Sequence, residues 1–390
     1  MARRADIYLD RVSNVMFTGN GKYNTIQDNN GVLWQPYVFP TTVFLAKSTN
    51  GGITWERPIQ ISTPTTISAM AVWYDRWSGI NGDLIHFAYA NTADDDINYR
   101  NYNVSTGTLS SQTVVFAGAS TAIGGSLSIT RARGGNLIVA GSIDAGAEDG
   151  AWRSTDTGAT WGAIADPSEA ATQDQYLLAP GWNADTQDVD LYFWDASENE
   201  ISVKRYDDSA NTWAETSIAT GMTDVAADTS SPNYNVTVDL TNSRNLLVAW
   251  SNVDIANSDL RCWHITNTTI TEVTNVVLNS TDDQALCAIG IDTSTEHWYV
   301  WYCGTSSGTE TVYTDLNIYY KVSTDSGTTW GPETRVTDPE NNKVYGIKSI
   351  SCIPRFNKKW IVGWFDDQTV DTYYVSAEIQ QPQATYVLGI

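Results

Sequence analysis

Short apolar, aromatic-rich runs followed by acidic or small polar turns dominate this chain, and almost nowhere does a helical period persist. Leu246-Leu-Val-Ala-Trp250, Trp298-Tyr-Val-Trp-Tyr302 and Trp360-Ile-Val-Gly-Trp364 read as one strand in three copies. Ile85-His-Phe-Ala-Tyr89, Leu137-Ile-Val-Ala-Gly141 and Leu191-Tyr-Phe-Trp-Asp195 read as earlier copies, with a first near Gly31-Val-Leu-Trp-Gln35. Such runs suit strands covered on both faces, as in blades stacked face to face. No run places apolar residues convincingly at i, i+3, i+4 and i+7. Frequent Thr and Val, with 16 Trp and 20 Tyr, favour β-structure.

The units divide further into four strands each. Residues 284–338 predict strands at Gln284–Asp292, His297–Gly304, Asn317–Ser323 and Gly331–Thr337; residues 343–390 repeat them as Lys343–Ile353, Lys359–Phe365, Thr372–Ile379 and Ala384–Ile390. Seven such units use up the 390 residues. The expectation is one all-β domain over 1–390, a seven-bladed β-propeller of four-stranded antiparallel blades. A six-bladed wheel with an N-terminal extension is the alternative. Residues 1–12 are either an N-terminal arm or the strand that closes the ring.

An eight-residue string punctuates the units. It occurs as Ser48-Thr-Asn-Gly-Gly-Ile-Thr-Trp55, Ser154-Thr-Asp-Thr-Gly-Ala-Thr-Trp161 and Ser323-Thr-Asp-Ser-Gly-Thr-Thr-Trp330. A worn copy, Tyr206-Asp-Asp-Ser-Ala-Asn-Thr-Trp213, keeps Asp208 and Trp213 but has Ala210 in the glycine slot. Its spacings of 106, 52 and 117 residues approximate multiples of one repeat, the signature of a copied supersecondary unit. The third-position residue, Asp156, Asp325 or Asn50, can accept backbone N–H groups and close a tight turn. Gly52, Gly158 and Gly327 can take positive φ without steric cost. Trp55, Trp161 and Trp330 can bury an apolar face where the next strand starts. The string therefore reads as scaffold; Asn50 could not serve as a general acid.

Ser-x-Asp-x-Gly-x-Thr-Trp resembles the Asp-box (BNR) repeat of sialidase-like β-propellers. The resemblance implies a propeller with the box turns between strands 3 and 4 on one face and sugars bound on the opposite face. There the strand 2–3 loops are repeatedly acidic: Asp94, Asp95 and Asp96; Asp144, Glu148 and Asp149; Asp195, Glu198 and Glu200; Asp254 and Asp259; Asp366, Asp367 and Asp371. They could form a solvated rim, hydrogen-bond neutral sugars, act as an acid pair in glycoside cleavage, or hold Ca²⁺, though no calcium loop of the Asp-x-Asp-x-Asp-Gly kind occurs. Trp77, in the polar turn Asp75-Arg-Trp-Ser-Gly-Ile-Asn-Gly82, is the aromatic expected to be exposed for stacking on a sugar.

The catalytic set that the family implies is not legible. The chain has no Arg-Ile-Pro, and Cys352-Ile-Pro-Arg355 has the wrong order and place. Arg100, Arg153, Arg205 and Arg261, with Lys47 and Lys321, recur at one place in strand 3, so they read as blade parts. Arg131, Arg133, Arg244 and Arg355 fall near strand 1–2 turns on the box side.

Net charge sets the remaining limits. At −23 the chain lacks the basic excess that displaces counterions from nucleic acid or docks on anionic membranes. No apolar run is long enough for a transmembrane helix, and Met1–Tyr8 has basic residues with no apolar stretch behind them, so no secretory signal is read. Cys262, Cys287, Cys303 and Cys352 lack metal-ligand spacing and read as buried thiols rather than disulfides. His86, His264 and His297 read as packed rather than catalytic.

Trp73-Tyr-Asp-Arg-Trp77 followed by Ile85–Tyr89 and Asp94-Asp-Asp96 is also similar to Asp-box proteins of tailed phages. The expectation is a non-enzymatic propeller, virion-associated or extracellular, acting as a structural or glycan- or receptor-recognising part. Its partners would be assembly proteins and cell-surface glycans, and Met1–Arg11 could serve as an anchoring arm. An exo-acting glycoside hydrolase and a secreted carbohydrate-binding module are the alternatives.

Overall fold

Strands buried on both faces must stack against other sheets, and that requirement sets the architecture. In the computed structural model the described residues are 7–11, 25–39, 41–118, 127–142, 149–167, 173–195, 197–222, 234–251, 258–280, 286–303, 317–337, 347–366 and 371–378. Their strands form antiparallel meanders, one after another along the chain. The fold is an all-β β-propeller.

Hydrogen bonding groups the strands into seven sheets, numbered here in chain order. The second sheet shows the plan: Ile67–Tyr74 innermost, then Leu84–Asn91, Asp96–Asn103 and Thr113–Ala117, with Thr108–Leu109 added on the third strand. The seventh contains Ile347–Cys352, Lys359–Asp366 and Asp371–Glu378, and its outer edge is Ile7–Arg11, which pairs antiparallel with Asp371–Glu378. The strand expected at Ala384–Ile390 lies outside the described residues.

The innermost strands touch from sheet to sheet. Leu127–Arg131 packs against Ile67–Tyr74 on one side and Gln173–Pro180 on the other, and Tyr234–Asp239 packs against Cys287–Asp292. Second strands carry the core, as their apolar runs predict: Val189–Asp195 is buried at every position, and Trp250, Trp298 and Trp301 are fully enclosed. Truncating one such aromatic to Ala costs about 3–5 kcal/mol.

One segment departs from the meander. Arg355–Phe356, in the connection after the innermost strand of the seventh sheet, pairs parallel with Cys287–Asp292 of the sixth. Ile291 N and Thr237 Oγ1 both donate to Pro354 O at 2.9 Å, and Arg355 donates to Val238 O at 2.6 Å. The Cys352-Ile-Pro-Arg355 string thus spans from the seventh sheet across the sixth to the fifth. Gly290 makes room for it, since a Cβ there would stand 2.5 Å from Ile353 O.

Candidate functional site

An antiparallel meander places the strand 1–2 and 3–4 turns at the same end of every sheet. Each of the three full eight-residue strings occupies a 3–4 turn. In the third sheet Asp156 Oδ1 accepts from Ser154 Oγ and Thr160 N, both at 2.8 Å, and Oδ2 accepts from Thr160 Oγ1 at 2.6 Å. Those bonds, led by Thr160, draw the Asp156 pKa down to about 2. Asp325 repeats the pattern with Ser323 and Thr329. Asn50 performs it as an amide, accepting from Thr54 N at 2.9 Å and donating to Thr54 Oγ1 at 2.8 Å. In all three turns the glycine N–H of Gly52, Gly158 or Gly327 donates to the serine hydroxyl at 2.8 Å, with φ of 84–85°.

The turns also fasten sheets together. Trp330 Nε1 donates to Thr274 O at 2.8 Å, and the Trp161 ring lies 5.2 Å from that of Tyr99; both partners belong to the preceding sheet. Asp156 and Asp325 stay in separate turns, each bonded within its own.

The worn copy is built differently, which corrects the role expected for Asp208. Asp207 closes that turn, accepting from Ser209 Oγ at 2.7 Å and Ala210 N at 2.9 Å. Asn211, not residue 210, takes the positive φ. Asp208 instead binds Arg153 of the preceding sheet at 2.8 Å. Trp213 keeps the docking role, donating to Ala165 O at 2.8 Å.

At the opposite end, the described residues of the acidic 2–3 loops do not come together as one group. Asp94 accepts from Asn91 Nδ2 at 2.7 Å, Asp95 holds a positive φ, and Asp96 accepts from Gly118 N at 3.3 Å. Asp195 is spent on its turn, accepting from Ser197 N, Ser197 Oγ and Glu198 N. Asp366 and Asp371 are opposite backbone positions in their hairpin, while Asp144, Glu148, Asp254 and Asp367 lie outside the described residues. Among the described residues no group of three or more His, Cys, Asp and Glu is arranged to hold a metal.

Trp77 overturns the expectation of an exposed platform. It sits in a 3-10 turn, Asp75–Ser78, of the second sheet's 1–2 connection, 3% exposed, edge-on to Trp73 at 5.4 Å and to Tyr74 at 6.3 Å. Its connection belongs to the repeat-turn end, away from the acidic loops. A buried cluster holds this turn: His86 Nε2 meets Asp75 at 2.8 Å, Tyr99 Oη meets His86 Nδ1 at 2.7 Å, and Arg131 of the third sheet binds Asp75. Burial pushes the Asp75 carboxyl up, but His86 and Arg131 outweigh it and leave the pKa below the usual range. Burial holds His86 below its ordinary value despite Asp75. Neutral His86, donating from Nε2 and accepting at Nδ1, fits both partners.

The 3-10 turn also forms one wall of a cavity of about 610 Å³ at the axis of the wheel, on the repeat-turn side. Its lining comes from 1–2 connections of the first, second, fifth, sixth and seventh sheets, including Asp28, Arg76, Leu240, Thr293 and Arg355. That the second and fifth sheets meet here places it on the axis: a Cβ at Gly79 would stand 3.3 Å from the Leu240 side chain. Asp28 is the lining carboxylate, and both its oxygens are engaged. Oδ1 accepts from Asn30 N at 2.8 Å and Val32 N at 3.0 Å; Oδ2 accepts from Trp34 Nε1 at 3.0 Å. Arg76 pairs with Asp83 at 2.9 Å. Burial raises the Tyr74 phenol to about 12 against the opposing pull of Arg76. Sequence reasoning assigned Arg355 to this end but missed its convergence with Arg76 and Lys358; the shared 1–2 position of all three is the signal that could have found it.

No protein-family profile matches the chain, and no curated protein matches it. Among solved structures it is similar to the Hadza microbial sialidase Hz136, with TM-score 0.50 and 13% identity over 93% of this chain and 66% of that one. A prolyl endopeptidase is similar at TM-score 0.51 and 11% identity, over 91% of this chain and 48% of that one. The chain thus spans just under two thirds of the sialidase and about half of the peptidase. At these identities the likeness is one of fold, a β-propeller. The likeness to the sialidase goes with six four-stranded blades, the alternative given above, so the main expectation of seven differs from that count. Among the described residues hydrogen bonding yields seven sheets, counting the one that Ile7–Arg11 completes.

Proposed function

We propose that the chain is a non-enzymatic sialidase-like propeller that recognises glycans or a glycan-bearing receptor, as part of a virion or another extracellular assembly. One observation carries the first half of this reading. The axial cavity has the size of a small-ligand site, yet its lining carboxylate is bonded to three donors. Glycoside cleavage by the usual route needs two carboxyl groups flanking the scissile bond, one of them free to give up a proton. The cavity can therefore bind, and among the described residues its lining lacks the carboxyl pair of that usual route. The repeated turns support the Asp-box assignment, because each aspartate is spent on holding its own turn. The acidic surface and the phage-like segment around Trp77 and Asp94–Asp96 support the virion setting. Residues 1–6 lie outside the described residues, so an anchoring arm there is part of the proposal, with virion proteins as its partners. Binding needs no metal ion on this reading, and chelation leaves it unchanged.

Purified protein is tested on sialyl and neutral aryl glycosides and on a glycan array. Selective glycan retention without turnover is expected. Robust hydrolysis, abolished on changing Asp94 or Asp195, would replace this reading with the glycoside hydrolase alternative.

A further inference from the structure

We infer that Thr212–Thr220, the outer strand of the fourth sheet, is a self-pairing surface: two copies of the chain join by adding these strands antiparallel across a two-fold axis at Ala214. The inference concerns the rim of the wheel and is independent of what the axial cavity binds.

The edge itself is the first support. From axis to rim the fourth sheet runs Gln173–Pro180, Val189–Asp195, Glu200–Asp207 and Thr212–Thr220. An open strand edge presents unpaired N–H and C=O groups, and proteins normally blunt it by shortness, lysine, proline or a bulge. The other outer strands follow that rule. Ile59–Gln60, Gly162–Ala163, Ile270–Glu272 and Thr334–Arg335 are two or three residues long. Ile7–Arg11, Thr113–Ala117 and Val277–Ser280 each break register along their length. Thr212–Ser217, by contrast, stays in unbroken register with Ser202–Asp207, the bulge coming only beyond Ser217. That stretch contains no Lys, Pro or Gly, and among the described residues no further strand pairs with its outer side. Thr212, Ala214, Thr216 and Ser217 are exposed.

The residue pattern is the second support, and it points to a second copy as the occupant. A two-fold axis perpendicular to a sheet sets one residue opposite itself, so the register is a choice of that residue. Centring on Glu215 would set two carboxylates face to face, which is destabilising. Centring on Ala214 sets Thr212 opposite Thr216 of the second copy and Thr216 opposite its Thr212. Such cross-strand Thr pairs are favourable, and the small Ala214 side chain at the axis lets the strands close. Thr212, Ala214 and Thr216 share one face, so Thr-x-Ala-x-Thr reads the same in both directions. On the other face Trp213 is docked on Ala165 O, and Glu215 lies 3.7 Å from Lys204 of its own sheet. The one charge on the edge is therefore matched within each copy, although the chain as a whole, at −23, repels its like. A contact of one strand pair is small, so the dimer is weak and concentration-dependent.

The test is sedimentation of the full chain over a concentration series, joined with cross-linking. The wild type should pass from monomer to dimer as concentration rises. Ala214→Lys, which sets two ammonium groups opposite each other at an exposed position, should weaken association roughly tenfold while leaving the urea midpoint near that of wild type. Ala214→Cys should oxidise to a covalent dimer, because directly opposed Cα atoms lie about 4.5–5.5 Å apart, within the span a disulfide bridges. The four native cysteines are buried and stay out of the reaction. Ser105→Cys, exposed on the second sheet, should not cross-link at that rate. Mixed Thr212→Cys and Thr216→Cys chains should cross-link faster than either alone. A wild type that stays monomeric, or a dimer untouched by Ala214→Lys, overturns the inference. So does Ala214→Cys oxidising no faster than Ser105→Cys. Capture of a synthetic 212–220 peptide by a chain that remains monomeric overturns the second copy as occupant and leaves the edge to a different strand.

Discussion

Replacing Gly158 by Ala should damage the wheel far more than a surface turn substitution would, and three glycines separate the causes. Gly158 has φ +85°, where an added Cβ costs about 1–2 kcal/mol. Its Cβ would also stand 2.0 Å from Tyr99 Cε1, in the neighbouring sheet. Tyr99 cannot easily give way: it is 1% exposed, its hydroxyl meets His86 at 2.7 Å, and its ring packs on Trp161. Overpacking of this kind adds about 1–3 kcal/mol, so the total is about 2–5 kcal/mol. Gly221 has φ +69° with nothing within 4 Å of its would-be Cβ, so Gly221→Ala should show the backbone cost alone. Gly162 has neither constraint, and Gly162→Ala should fall within about 0.5 kcal/mol of wild type. Urea unfolding reads all three as midpoint shifts at constant slope. In calorimetry, an unfolding entropy of about 2.1 cal/mol/K per residue over 390 residues converts the Gly158 effect into a fall of roughly 2–6 °C. A Gly158→Ala midpoint equal to that of Gly221→Ala would show that the approach to Tyr99 contributes nothing to stability.

Three further outcomes are expected. Asp156→Asn should leave the urea midpoint near that of wild type, because Asn50 already closes an equivalent turn, while Asp156→Ala should lower it; equal effects would refute the amide equivalence. Asp190 is buried against Tyr192 and Asn245, and desolvation raises its pKa to about 7. The folded state then holds a proton that the unfolded chain releases near pH 4, so this group makes stability fall as pH rises from about 4 to 7; Asp190→Asn should flatten that fall, seen in midpoints measured across the range, whereas unchanged pH dependence would contradict the shift. All four cysteines are buried thiols, and burial pushes Cys262 up to about 12, so a thiol reagent should label none in the native protein and four in guanidinium. Rapid native labelling would mean the sheets open locally.

Local physics explains what was readable. The periodic apolar runs, the polar turns and the Ser-x-Asp-x-Gly-x-Thr-Trp string are short-range codes, since each is satisfied within one hairpin. They determined an all-β wheel of four-stranded units, scaffold roles for Asp156 and Asp325, and buried thiols. The worn copy shows the limit of such a code: with Asp207 and Asp208 adjacent, composition alone could not say which closes the turn, and Arg153 in another sheet settles it. Trp77 shows the same limit, since a polar-looking turn was carried inward by Asp75 and its contacts with His86 and Arg131.

By itself, then, the sequence determined the repeat, the strand faces and the turns, because these depend on neighbours a few residues apart. Only the tertiary structure decided that Ile7–Arg11 pairs with Asp371–Glu378, and that Arg76, Arg355 and Lys358 converge on one opening. Those meetings join residues hundreds of positions apart. Chain closure and the rotation of successive sheets about an axis create them, and neither leaves a local mark on the residues involved.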